Sequence, residues 1–334
     1  MQIGMTYDLR QDYLDMGFSE EETAEFDREA TIAAIEAAIR AQGHQVERIG
    51  HFRRLVERLA AGDRWDLVFN IAEGLHGRSR ESQVPAALEA YKIPYTFSDP
   101  VTLAVSLDKA ITKRVIAGSG VPTPDFRVIE QASQLDELRD AGLAYPLFVK
   151  PLAEGTGKGV NRQSVVRSFD ALAAQCRFVL ESCQQPALVE TFMPGREFTV
   201  GIVGTGAEAE CVGVEEVIVK GDDDDGIYSY VAKEKCEELV RYAPVDDAEA
   251  RQAGDYALRV WRWLGCCDAG RLDFRSDERG NPHFLEVNPL AGLHPEHSDL
   301  PIIWTHHGRP YNALIAAILE SAARRWKLDV HPSS

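Results

Sequence analysis

The chain is short of positive charge: 36 Lys and Arg face 53 Asp and Glu among 334 residues, a formal net charge of −17. Phosphate backbones and anionic lipid surfaces require a basic face, and most of this chain's surface would repel them. Neither nucleic acid nor membrane is therefore an expected partner, which leaves room only for local basic pockets. Long apolar runs are also missing. No spanning segment is expected, and residues 1–5 read as a first strand instead of a charged leader, so the expected compartment is the cytoplasm. The six cysteines (Cys176, Cys183, Cys211, Cys236, Cys266, Cys267) contain no CxxC pair. Adjacent Cys266 and Cys267 do not readily bridge, which argues for buried or free thiols over a disulfide framework. A P-loop is absent as well: the glycine-rich run Glu154-Gly155-Thr156-Gly157-Lys158-Gly159-Val160 lacks the GxxxxGK[ST] spacing and opens no long helix.

Core material is ample, and the length exceeds what one hydrophobic core usually organises, so two or three packed units are expected. Ser19-Glu20-Glu21-Glu22 reads as a capping box for a helix that carries Ile32, Ile35 and Ile39 and stops at Gly43. Strands at 46–49 and 66–70 flank a helical stretch at 52–60, and this alternation implies a mostly parallel sheet. The loop after Asn70 leaves the carboxyl end of a strand, where open α/β sheets gather ligands, and this makes His76 a candidate substrate residue. Leu103, Leu107, Ile111 and Val115 share a helical period ending before Gly118, with a domain boundary near Pro100. A strand at 147–150, the glycine loop, a helix at about 168–181 and a strand at 188–190 follow. Glycines let backbone N–H groups approach an anion, and Lys158 adds charge to that loop.

The richest signal is a hairpin. Arg271-Leu272-Asp273-Phe274 and Phe284-Leu285-Glu286-Val287-Asn288 read as neighbouring strands joined by the turn at 277–282. Alternation puts Glu286 and Asn288 on one face, and the turn folds Asp273 beside them. Hard oxygen ligands of this kind suit magnesium bridging phosphates.

The strings Phe148-Val149-Lys150-Pro151, Leu188-Val189-Glu190 and Pro194-Gly195-Arg196-Glu197, set before this hairpin, resemble the ATP-grasp superfamily. More narrowly, the chain resembles the D-alanine–D-alanine ligase family through 70–78 with its His-Gly-Arg, Ile93-Pro94-Tyr95-Thr96, 107–113 and 285–292, in the family's order. The likeness implies an α/β (α+β ATP-grasp) fold: a pre-ATP-grasp parallel α/β domain at 1–99, a small central subdomain at 100–189 and a large C-terminal subdomain at 190–334, the last two enclosing a nucleotide. It implies ATP and two Mg²⁺ as cofactors, with Mn²⁺ as an alternative, and a homodimer. Lys109 and Lys150 would hold phosphates, joined by the Lys158 charge read from the glycine loop itself, Glu190 would lie at the adenine linker, and Glu197 would accept the ribose hydroxyls. Asp273, Glu286 and Asn288 would bind the metals, with Glu286 bridging. Arg271 would act as an oxyanion clamp completed by the backbone N–H of Gly292. Thr156 stands where the family has a loop serine. Lys233, after four aspartates at 222–225, matches the lysine of a closing loop.

Two segments depart from the family. After the first strand a Gly-Gly-x-Ser-x-Glu element is missing, and Thr6-Tyr7-Asp8-Leu9 stands there; Asp8 or a carboxylate among residues 22–29 is the available substitute. After Gly292 the run Leu293-His294-Pro295-Glu296-His297-Ser298-Asp299 is one residue longer, with His297 and Ser298 as acceptor candidates and Glu296 or Asp299 favouring a cationic group. His294, His297, His306 and His307 lack the closing ligand of a zinc set. The expected activity is ATP-dependent carboxylate–amine ligation through an acyl phosphate, on amino-acid or amine substrates. An ATP-grasp phosphotransferase and a non-catalytic nucleotide-binding module are the rival readings.

Overall fold

Strand β1 (Gln2–Tyr7) lies between β2 (Gln45–Gly50) and β3 (Leu67–Ile71), and all three run parallel. Parallel sheets are covered on both faces and so read as continuous apolar runs, and Ile3, Met5, Leu67, Val68 and Phe69 are fully buried. In this computed structural model residues 1–20, 22–140, 142–155, 157–219 and 240–328 are described. Thr156, Lys233 and the aspartates at 222–225 lie outside them.

Helix α1 (Arg10–Asp15) precedes α2 (Glu29–Ala41), whose Ile32, Ile35 and Ile39 cover the parallel sheet as their spacing predicts. The capping box forms but does not start that helix. Ser19 N donates to Glu22 Oε2 at 2.8 Å and Glu22 N to Ser19 Oγ at 3.2 Å, closing a separate turn, while α2 begins after Arg28 with no side-chain cap. Helices α3 (Phe52–Ala61) and α4 (Gln83–Ala90) complete this unit.

The single helix expected over 103–115 is two, α5 (Pro100–Leu107) and α6 (Lys109–Ile116). Asp108 leaves helical geometry with ψ 101° and accepts from Ile111 N at 2.9 Å, capping α6 and setting Lys109 in its first position. Next comes an antiparallel sheet ordered β4 (Phe126–Ile129), β7 (Ala187–Thr191), β5 (Leu147–Pro151), β6 (Val165–Val166), packed on α7 (Phe169–Ser182).

The third sheet is antiparallel: β10 (Val240–Pro244), β9 (Glu210–Val219), β8 (Glu197–Val203), β11 (Ala269–Ser276), β12 (Pro282–Asn288). Its core face carries Phe198, Val200, Leu272 and Phe274 against α8 (Ala248–Leu264). On the opposite face Gly201 and Gly213 admit α9 (Asp299–His306): a Cβ on Gly213 would stand 2.4 Å from His307, and one on Gly201 3.2 Å from Leu300 and Ile303. Finally α10 (Tyr311–Trp326) returns to pack on α2, so the first core is closed by the far end of the chain. No described helix is long and apolar enough to cross a membrane, and Cys176, Cys211, Cys266 and Cys267 are free thiols.

Candidate functional site

The hairpin does what its alternation implies, with one addition. Asp273 pairs with Glu286 and Arg271 with Asn288, so all four side chains stand on one face of the third sheet. Between Asp273 and Phe274 the register shifts, leaving Leu285 as an extra residue. Without that bulge, Phe284 and Glu286 would share a face. With it, Phe284 is buried in the core and Glu286 faces outward.

Two cavities meet over this face. A cavity of about 110 Å³ is bordered by Lys150, Lys158, Glu190, Glu197 and Asp273, and by the apolar Phe148, Val160, Phe192, Met193 and Leu285. One of about 510 Å³ is bordered by Arg271, Asn288, Gly292, His297 and Ser298. Lys109, Glu154 and Glu286 border both. Lys109 Nζ donates to Glu154 O at 2.6 Å and lies 3.4 Å from Glu286 Oε2, which places it at the junction.

Glu190 is 2 % exposed and sits between two ammonium groups, Lys113 at 2.7 Å and Lys150 at 2.8 Å. Burial opposes ionisation of its carboxyl, but the two lysines outweigh that and hold its pKa below the ordinary value. Burial, with the Lys150 charge beside it, pulls Lys113 down to about 8 against the attraction of Glu190. Burial also pulls on Lys150, but Glu190, Glu286 and Glu197 raise it. Lys113 also donates to Thr123 Oγ1 at 2.7 Å. The Glu190 side chain is thus committed to the lysines, and the chain from 190 to 193 borders the smaller cavity. Glu197 pairs with Arg275 at 3.4 Å, and Lys158 with Glu154 at 3.2 Å.

Arg271 is gripped from two sides: Nη1 donates to the Asp273 carboxylate, and Nε lies 3.0 Å from Asp299 Oδ2. Burial opposes its charge, but Asp273, Asp299 and Glu286 drive its pKa well above normal. In the loop beyond Gly292, Ser298 Oγ accepts from His294 N at 2.9 Å, and His294 and His297 stack with centroids 4.3 Å apart. The other two histidines point elsewhere, His306 Nδ1 to Glu215 at 3.1 Å and His307 Nδ1 to Ile303 O at 3.0 Å.

This arrangement matches known proteins along most of its length. Residues 115–320 fit the family model described as the D-ala D-ala ligase C-terminus. A D-alanine–D-alanine ligase of Bordetella petrii is 35 % identical over 274 residues, covering 81 % of this chain and 79 % of that protein. The enzyme of that name from Aquifex aeolicus is 31 % identical over 287 residues, covering 86 % and 92 %. The chain belongs to the D-alanine–D-alanine ligase family. Its fold agrees: the D-alanine–D-alanine ligase of Bacillus anthracis complexed with ATP superposes with a TM-score of 0.74 at 21 % identity, covering 98 % of this chain and 99 % of that one. The VanG D-Ala:D-Ser ligase of Enterococcus faecalis gives 0.73 at 18 % identity, covering 96 % and 99 %. This is the ATP-grasp architecture expected from the motifs.

Some expected residues lie apart from the two cavities over the hairpin. His76 is exposed and borders a third cavity of about 570 Å³ with Arg78 and Arg80, away from His297 and Ser298. Asp8 is buried, accepting from the Tyr13 hydroxyl and from Gly74 N at 2.8 Å, so it is spent inside the fold. Among the other substitutes, Glu25 borders the cavity of about 510 Å³ but is held by Arg80 at 2.9 Å and Gly155 N at 2.8 Å, whereas Asp27 borders the same cavity. Asp299 binds Arg271 and Tyr242, so it is committed within the protein instead of being offered to a cationic substrate. Lys113 was given no role from the sequence, although its place one helical turn after Lys109 was a usable signal. Nothing local marks the Tyr242 contact, which joins residues 57 positions apart.

Proposed function

We propose that this member of the family is an ATP-dependent carboxylate–amine ligase. It joins two small amino-acid-like substrates through an acyl phosphate and releases ADP and phosphate; D-alanine with D-alanine is the first pair to test. The observation that carries this reading is the shared face of Arg271, Asp273, Glu286 and Asn288 at the junction of the two cavities.

In this reading the smaller cavity takes the nucleotide. Phe148, Val160, Phe192, Met193 and Leu285 offer apolar walls to the base beside the main chain that follows Glu190. Glu197 receives the ribose, and Lys109, Lys150 and Lys158 bind the phosphates as movable point charges. Glu190 acts through Lys150 and Lys113 by fixing where those charges stand.

Asp273, Glu286 and Asn288 fit Mg²⁺ or Mn²⁺, two ions in all. They form a hard donor set, and the Nδ2 end of the Asn288 amide is buried with no hydrogen-bond partner among the described residues. A half-turn of that amide presents its oxygen. When bound, such ions neutralise phosphate charge and assist phosphoryl transfer. Arg271 and the Gly292 N–H meet the charge that develops on the substrate carbonyl oxygen. His297 and Ser298 border the acceptor side and His76 stands at the outer cavity, while Thr156 and Lys233, outside the described residues, are assigned to the transferring phosphate on the family resemblance alone. We assign the units to residues 1–99, 100–189 and 190–334, and the protein to the cytoplasm as a homodimer.

The test is a screen of purified protein with ATP and Mg²⁺ against pooled D- and L-amino acids and simple amines. Amine-dependent ADP release with equal phosphate and a condensed product mass is expected. Stoichiometric phosphorylated product without amine would mean a phosphotransferase, and ATP binding with no ADP across the panel a binding module.

A further inference from the structure

Arg271 is useful only if its planar fork is held in one orientation, since a guanidinium on a long side chain is otherwise free to turn. Asp273, two residues along the same strand, accepts from Nη1, but that contact alone leaves the plane of the fork free to swing. A second contact, an ion pair, comes from outside the sheet. Asp299, the first residue of α9, places Oδ2 3.0 Å from Arg271 Nε. Its other oxygen, Oδ1, accepts from the Tyr242 hydroxyl at 2.6 Å. The Asp299 and Arg271 side chains are only 12 % and 13 % exposed, so solvent screens the pair weakly. The remaining N–H groups of Arg271 have no partner among the described residues, and the residue borders the larger cavity.

Chain position adds meaning to this contact. Asp299 directly follows the loop at 292–298, which Ser298 and His294 close upon themselves. Tyr242 lies on β10, at the opposite sheet edge from β12. We infer that Asp299, buttressed by Tyr242, is a positioning residue that locks the Arg271 guanidinium toward the acceptor loop. The inference rests on the ligase reading and adds to it a residue that ties the clamp to the end of the acceptor loop. Its action belongs to the second half of the reaction, when the amine adds to the acyl phosphate carbonyl, the carbonyl oxygen becomes an oxyanion, and phosphate departs as the amine proton is lost.

Rapid-quench single turnover on the substrate pair found by the screen separates the halves. Rates are compared because a poorly folded fraction lowers amplitudes and leaves rates alone. In Asp299→Asn, ADP is expected to appear within about threefold of the wild-type rate while amide formation slows by about tenfold or more, the order lost when an oxyanion donor is misplaced. Tyr242→Phe should slow amide formation less. The double variant should be no slower than Asp299→Asn alone, because the two residues act in series. Equal slowing of ADP and amide, unchanged amide formation, or multiplicative losses would each overturn the positioning role. A wild-type protein with no ligation on the whole panel would remove the ligase reading and this inference with it. An active wild type with an indifferent Asp299→Asn removes the inference alone.

Discussion

Glu286 borders both site cavities, faces Asp273 across the hairpin and sits 3.4 Å from Lys109. Glu286→Gln keeps the shape and removes the charge. Turnover should fall by about 100-fold or more while Tm moves by only a few degrees, measured by phosphate release and thermal unfolding. Asp27 offers a second test. Burial, with the Asp8 charge beside it, raises its pKa from 3.8 to about 7, against the hydrogen bond from Thr31. Between those values the folded protein holds a proton that the unfolded chain has released, so Asp27 lowers stability progressively as pH rises through that window. Asp27→Asn should therefore raise Tm at pH 8 and leave it unchanged near pH 3. A uniform shift at both would contradict the buried carboxyl. At this scale the shared face of Glu286 and Asn288 was legible because strand alternation depends on neighbours two apart. The contact of Asp299 with Arg271 was not, since one opens helix α9 and the other stands on β11.

Elements were legible where period and punctuation agreed, as at the end of α2 before Gly43, and misread where they conflicted. Leu107 and Ile111 keep a helical period across Asp108, which hides the break between α5 and α6. The bulge at Leu285 was equally invisible, because Phe284 and Glu286 look like a two-residue step. Asp108 is 1 % exposed, caps α6 and accepts from Arg78 Nε at 3.0 Å. Asp108→Ala should cost about 2 kcal/mol of stability, the upper end for a lost cap, and weaken ATP binding because Lys109 opens that helix. Urea unfolding and nucleotide titration check the two effects together. Normal ATP affinity in a destabilised variant would detach the cap from the site.

For the molecule as a whole, the alternation of helix and strand disclosed a parallel unit followed by mixed ones, but not which segments close on each other. Side-chain periodicity says that a face is apolar and does not name its partner, so the return of α10 to α2 could not be read. One buried polar knot makes that closure specific. Asp268 is fully buried and accepts from Phe97 N, Ser321 Oγ and Arg325 Nη2, each at 2.8 Å, joining the first unit, the start of β11 and α10. Asp268→Ala leaves Arg325 and the Phe97 N–H uncompensated and should cost about 3–5 kcal/mol in urea unfolding. A loss under 1 kcal/mol would show that the apolar cores hold the closure by themselves.

Calorimetric titration of ATP with Mg²⁺ asks whether the hairpin face grips a divalent-ion–triphosphate assembly. One nucleotide per chain is predicted, with affinity reduced by about tenfold or more by chelating the metal or by Glu286→Gln. No uptake by the wild-type protein, or equal affinity with and without metal and with and without the Glu286 charge, would contradict it.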